Sequence, residues 1–308
     1  MAAPGILLVD KPGGITSHDV VARARKALGT RKIGHAGTLD PMATGLLVLG
    51  VEAATRLLTY VVGLDKTYEA TIRLGVATDT DDADGEIIAM TDASSVESVA
   101  IAEGIAALTG RISQVPSTYS AIKVDGRRAY DLARAGEDVQ LKSREVTVSR
   151  FAVRAERPAR MTPSAVAADA ASGAVIDLDV VVDCSSGTYI RSLARDLGAA
   201  LGVGGHLTVL RRTRIGPFEV ADAASVDAIA EATLIPPAAA ATAVIGRFDV
   251  TADEARDLRH GKRLAGAASR LAADPSAAID PDGALVGVVE RRADDVKSAM
   301  NMPQEATR

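Results

Sequence analysis

A chain of 308 residues, 47% of them hydrophobic, can bury a sizeable core and leave room for a second, smaller domain. No apolar run approaches the ~20 residues of a membrane helix, the N-terminus lacks the charged, apolar and cleavage-site pattern of a signal peptide, and the single cysteine, Cys184, excludes an internal disulfide. A soluble, cytoplasmic protein with no membrane contact is expected, and four scattered histidines without CxxC or HExxH spacing imply no metal site.

The net charge of −5 is not that of an ordinary polyanion binder, but the charge is unevenly spread. Between Arg73 and Arg111 there is no Lys or Arg, against the acids Asp79, Asp81, Asp82, Asp84, Glu86, Asp92, Glu97 and Glu103. Residues 187–216 instead hold Arg191, Arg195, Arg211, Arg212 and Arg214 with Asp196 as their one acid, and further cations sit at Arg23, Arg25, Lys26, Arg31 and Lys32. A local basic face could therefore receive a polyanion. Ordinary solvated charges are the competing reading.

In chain order, residues 5–10 form a short apolar strand ending at the turn Lys11-Pro12-Gly13-Gly14. A helix follows, capped by Thr16 or Ser17, with Val20, Val21, Ala24, Ala27 and Leu28 as its apolar stripe and Gly29 at its end. Residues 34–45, with three glycines and Pro41, read as a shaped loop entering an apolar strand at 46–51. Pro41 biases Asp40 toward extended backbone and so holds it in a defined pose; a plain turn aspartate is the alternative.

In 67–74 the apolar residues Tyr68, Ala70, Ile72 and Leu74 alternate with Thr67, Glu69, Thr71 and Arg73, the period of a half-buried strand with Tyr68 inward. The acidic segment 79–85 resembles a calcium loop. Matching Gly85 to the required glycine, however, puts threonines at the first and last ligand positions, so that reading fails. Residues 114–139 carry Lys123, Arg127, Arg128, Tyr130 and Arg134 among turn residues and read as a surface connection.

Residues 176–184 are a strand with Ile176, Leu178, Val180, Val182 and Cys184 on one face, which makes Cys184 a buried structural thiol. A helix begins near Thr188, with Ile190, Leu193, Ala194 and Leu197 as its stripe and Gly198 as its terminator. Arg191 falls in the first turn, where a cation opposes the helix dipole, so a compensating carboxylate or phosphate is expected beside it.

The window 34–47, GHAGTLDPMATGLL, fits the pattern GHxGxLDPxATGxL and closely resembles the TruB family of pseudouridine synthases. The resemblance continues through Lys66-Thr67-Tyr68, residues 74–85, Gln114-Val115-Pro116-Ser117, 120–123, 184–191 and 206–212, about three quarters of the chain in order. It implies an α+β fold: a catalytic domain, residues 1–235, with a mixed, largely antiparallel β-sheet flanked by helices and loops, and an insertion at about 114–139 that clamps RNA. A linker at 236–246, a small PUA-like β-domain at 247–299 and a disordered tail at 300–308 complete the expectation. Beyond about Glu231 the match to the family loosens.

The resemblance implies isomerisation of uridine 55 in the tRNA T-loop, by base flipping and without a cofactor. Asp40 becomes the essential carboxylate, attacking C1′ or abstracting the C2′ proton to give a glycal-like intermediate. Arg191 pairs with Asp40, Tyr68 packs on the flipped base near the proton to be removed, Tyr189 and Leu210 shape the pocket, and His35 fills the space the base leaves. Lys11 and Arg56 are candidates for phosphate or structural contacts. The partner is the T-arm stem-loop, bound by a monomer with no guide RNA. A guide-dependent relative of the dyskerin type and a binding-only RNA chaperone are the two other classes; the insertion and the absence of long basic tails disfavour the first, and intact Asp40, Tyr68 and Arg191 the second. Removal of residues from about 241 is expected to weaken binding more than chemistry.

Overall fold

The computed structural model describes residues 2–119, 123–124, 127–128, 141–161 and 173–303. Two compact units result: Met1–Pro41, Gly45–Leu64 and Ile215–Arg308 form the first, and Met42–Thr44 with Asp65–Arg214 the second. This division differs from the expected break near residue 236.

The first unit starts with β1 (Gly5–Lys11), α1 (Ser17–Ala27), β2 (Ile33–Ala36) and β3 (Thr44–Val51). Strands β1 and β2 both run antiparallel to β3, with Val9 opposite Leu47 and Gly34 opposite Gly50. Those two glycines let the chain beyond β3 fold back onto the sheet: a Cβ on Gly50 would stand 2.8 Å from the Thr55 Cα, and one on Gly34 3.3 Å from a Leu58 methyl. The following short helix is α2 (Leu58–Val62). The glycine-rich window is thus not one loop, because its first three residues are drawn into β2 by pairing with β3.

Unit two carries β4 (Lys66–Leu74), β5 (Val76–Thr78), β6 (Ile87–Met90), α3 (Ser98–Ala107), β7 (Gly110–Gln114), β8 (Lys123–Val124), β9 (Arg127–Arg128), β10 (Arg144–Met161), β11 (Gly173–Cys184), α4 (Ile190–Ala200) and β12 (Gly205–Ile215). Its main strands are ordered β12-β4-β11-β10-β7, and β4, β11, β10 and β7 pair antiparallel. As the alternation demands, Tyr68, Ala70, Ile72 and Leu74 of β4 are buried with Leu178, Val180 and Val182 of β11. The other face is a ladder of charge. Asp177 of β11 takes two 2.7 Å hydrogen bonds from Arg73 of β4; Asp179 is bound by Arg157 and Thr71; Asp183 takes a 2.8 Å ion pair from Arg150 and a 2.6 Å bond from Thr67. Arg214 completes it with a 2.9 Å bond to the Thr67 hydroxyl.

Helix α4 buries its whole predicted stripe, but Gly198 does not end it. The glycine sits inside the helix, where a Cβ would come within 2.2 Å of the Gly204 and Gly205 backbone. Termination passes to Gly202, whose φ of +72° suits a left-handed cap.

The chain returns to the first unit through β13 (Phe218–Glu219) and β14 (Ala224–Ser225), the latter parallel to β1. The alanine-rich stretch expected as a linker is helix α5 (Pro237–Ile245), opened by Pro237 at its first position. Ala240 and Ala241 are 2% exposed and share one core with Ile6, Leu8, Leu46 and Val48 and with Ala277, Ile279 and Val288 of the C-terminal sheet. That sheet, β15 (Arg247–Asp249), β16 (Ser276–Ile279), β17 (Leu285–Arg292) and β18 (Asp295–Asn301), has its own core beside α6 (Ala252–Arg259). Strand β18 runs into the stretch expected as a disordered tail, and Met302 is buried; residues 304–308 lie outside the described residues. No helix among the described residues is long and apolar enough to cross a membrane.

Candidate active site

Asp40 follows β2 in the first unit, half-buried, and its backbone is clamped on both sides. At residue 39 the buried Ser17 hydroxyl accepts a 2.9 Å bond from the Leu39 N–H and donates to the Leu39 carbonyl at 3.1 Å. At residue 41 the Pro41 carbonyl accepts from Lys11 Nζ at 3.1 Å and from the Gly14 N–H at 2.9 Å. Ser17 is itself fixed as the first residue of α1, behind a capping box in which Thr16 and Asp19 exchange hydrogen bonds. The backbone on either side of Asp40 is therefore held from two directions.

Lys11 is fully buried, and its ammonium donates to the carbonyls of Pro12 at 2.9 Å, Ile15 at 2.7 Å and Pro41 at 3.1 Å. All three carbonyls belong to the protein's own backbone. Arg56 is exposed and donates to the Asn301 carbonyl at 2.6 Å, tying the segment after β3 to β18. His35 lies half-buried on β2 opposite Leu49.

In the second unit Tyr68 is 7% exposed on β4, opposite Val182, and Leu210 is buried on the neighbouring β12. Tyr189 is the N-cap of α4 and offers no side-chain cap; Gln114, at the end of β7, does that work. Its amide oxygen accepts from the Tyr189 N–H at 2.8 Å and its amide nitrogen donates to the Tyr189 carbonyl at 3.1 Å.

Arg191, 3% exposed, follows on the second residue of α4. A compensating carboxylate is present: Asp82 stands 3.5 Å from Nε, both side chains nearly sealed from solvent. Nη1 donates to the Thr80 carbonyl at 2.9 Å and to Ser117 Oγ at 3.3 Å, and Nη2 to the Tyr119 carbonyl at 2.8 Å. Arg195, one turn on, pairs with Asp81 at 3.5 Å and donates to the Val115 carbonyl at 2.8 Å. Burial pushes the Asp81 carboxyl above its ordinary pKa despite the arginine. The acidic segment rejected as a calcium loop is thus a counter-charge for one buried arginine, Arg191, and one half-buried arginine, Arg195. Neither Asp82 nor Ser17 carries a sequence signal for these contacts, since an acidic run reads as a metal loop and a serine before a helix as a cap.

Behind these groups Cys184 is 1% exposed, its thiol pushed up to about 11 by burial, a structural role as expected. Lys66 is brought down to about 8 by burial and by the nearby Arg212 guanidinium. Most of the insertion expected to clamp RNA, apart from residues 114–119, 123–124 and 127–128, lies outside the described residues.

Residues 25–190 match the N-terminal domain of the TruB family pseudouridylate synthases, 191–243 the tRNA pseudouridylate synthase B C-terminal domain, and 245–303 the tRNA pseudouridine synthase II C-terminal region. The chain belongs to the TruB family. It is accordingly a pseudouridine synthase. Relatives called tRNA pseudouridine synthase B are 55% identical in Leifsonia xyli, covering 99% of this chain and 98% of theirs, and 49% identical in Mycolicibacterium paratuberculosis, covering 97% and 98%. The fold is that of a chain in an H/ACA RNP bound to a substrate RNA containing 2′-deoxyuridine, with a TM-score of 0.66 at 24% identity over 97% of this chain and 84% of that one. Within the family the first C-terminal boundary falls at residue 191, inside helix α4, so sequence domains and compact units divide the chain at different places.

Proposed function

We propose that this TruB-family enzyme converts uridine 55 in the T-loop of tRNA to pseudouridine, as a monomer, with no guide RNA and no cofactor. The double clamp around Asp40 carries the reading: a carboxylate whose backbone is fixed at residues 39 and 41 starts every encounter from one position. The relatives named tRNA pseudouridine synthase B, matched over nearly their whole length, support the substrate.

The reaction breaks the C1′–N1 bond, turns the base and joins C1′ to C5; the C5 proton leaves and N1 gains one, so neither redox agent nor group donor is required. The base must leave its loop, at a cost of a few kcal/mol. In this reading His35 occupies the vacated space, Tyr68 packs on the base and assists the C5 proton step, and Tyr189 and Leu210 wall the pocket. Arg191 keeps Asp40 ionised and oriented as an opposite charge does at close range, and the insertion at 114–139 closes over the loop. Asp40 serves by attack at C1′ or by removal of the C2′ proton.

The test is incubation of the purified protein with an isolated T-arm hairpin and no added RNA, followed by mapping of the modified nucleotide. Pseudouridine at the position equivalent to 55 is expected. A requirement for the anticodon arm or a guide, or modification in another loop, overturns the assignment.

A further inference from the structure

Tyr189 is held from two sides by two residues that face each other across β7 and β10. Gln114 of β7 stands directly opposite Arg144 of β10. Gln114 grips the Tyr189 backbone through both amide groups, and the Arg144 guanidinium lies over the Tyr189 ring, 5.6 Å from its centre. Gln114 is 1% exposed, so its amide is committed to this pairing, and leaving either half unmet costs a buried polar group its partner. Three arginines on β7 and β10 meet carboxylates: Arg111 meets Glu145, Arg150 meets Asp183 and Arg157 meets Asp179. Arg144 has no ion pair among the described residues and lies instead over the Tyr189 ring.

Helix α4 lends this mount its reach. Its N-cap lacks a side-chain acceptor of its own, so the Gln114 amide sets where the helix begins, and Arg191 sits two residues later. Gln114 also opens the segment whose next residues are gripped by α4, through Val115 to Arg195 and through Ser117 and Tyr119 to Arg191. One amide thus fixes both the ring and the start of the helix that carries the buried arginine.

We propose that Gln114 and Arg144 are positioning residues for the isomerisation, acting through Tyr189: Gln114 sets its backbone and Arg144 covers its ring. This rests on the reading of Tyr189 as a pocket wall. The test uses the full chain with Gln114→Met, which keeps the shape without hydrogen bonds, Gln114→Glu, which keeps only the acceptor, and Arg144→Gln. Since the sequence has five tyrosines, 3-fluorotyrosine labelling gives a readable fluorine spectrum, with the Tyr189 signal identified by Tyr189→Phe.

Gln114→Met is expected to shift or broaden the Tyr189 signal and to lower kcat on the T-arm hairpin at least tenfold, with KM and hairpin affinity within twofold of the parent. Gln114→Glu falls between the two. Arg144→Gln moves the same signal with a smaller loss of kcat. An unmoved Tyr189 signal in Gln114→Met, or a loss of affinity in step with kcat, overturns the proposal. If the parent is inactive on the hairpin, the functional reading fails while the fluorine spectra still decide whether Gln114 and Arg144 hold Tyr189.

Discussion

Asp40 and Arg191 are fixed by opposite means within their own units. Around Asp40 the clamps fall on the backbone of its neighbours, and they come from residues 11–17, one turn and one helix start. Around Arg191 they fall on the guanidinium itself, and they come from residues 80, 82, 117 and 119, more than 70 positions away. A loop can be shaped by its local sequence, whereas a buried charge has to be met by whatever the tertiary fold brings.

If the loop exists to present a carboxylate, its removal is the largest effect. Asp40→Asn should reduce turnover by roughly 10³-fold or more with melting temperature and hairpin affinity nearly unchanged, measured by product mapping and binding; substantial residual turnover would take Asp40 out of its role. At the other pole, Asp82→Ala should destabilise the protein by about 3 kcal/mol by taking a carboxylate from a buried guanidinium. Urea midpoints at constant slope check this, and an effect below about 1 kcal/mol would show that the carbonyl acceptors suffice.

Gly198→Ala probes the packing behind Arg191: its Cβ would meet backbone at 2.2 Å, with no flexible side chain to yield. A loss of about 2–3 kcal/mol is expected from overpacking. Ser17→Ala should cost about 1–2 kcal/mol through the two lost hydrogen bonds, and if the clamp positions Asp40 it should lower kcat more than affinity.

The smallest effect concerns His206, which is 6% exposed and hydrogen-bonded through Nδ1 to the Val76 carbonyl at 2.9 Å. Burial lowers its pKa below the usual 6.5. The unfolded chain therefore takes up the proton first as pH falls, and stability present above about pH 6.5 is lost between there and the lower folded value. His206→Gln should flatten that part of the stability profile relative to the parent.

Much of this was legible before any coordinates. The alternation in 67–74 and 176–184, the helix stripes and the Asp-Pro step all depend on nearest neighbours, and β4, β11, α1 and α4 follow them. Gly198 departs from its expected place because a glycine that ends a helix and one that admits another backbone look alike in sequence. The alanines of 237–241 read as low complexity, yet small side chains are what lets α5 lie in a shared core. For the same reason, cutting the chain near Ala241 should open that core. Asp82 could not be assigned to Arg191 because their 109-residue separation carries no local signal.

The ladder on β4, β10 and β11 bears on how RNA affinity will respond to salt. Binding strength falls with salt in proportion to the mobile counterions that phosphates and cations set free on meeting. Arg73, Arg150 and Arg157 already hold carboxylates of the same sheet, so a phosphate arriving there displaces a tethered anion and liberates nothing into the solution. The salt slope will therefore count only cations without an internal partner, and a shallow slope here would measure how thoroughly the protein has become its own counterion atmosphere.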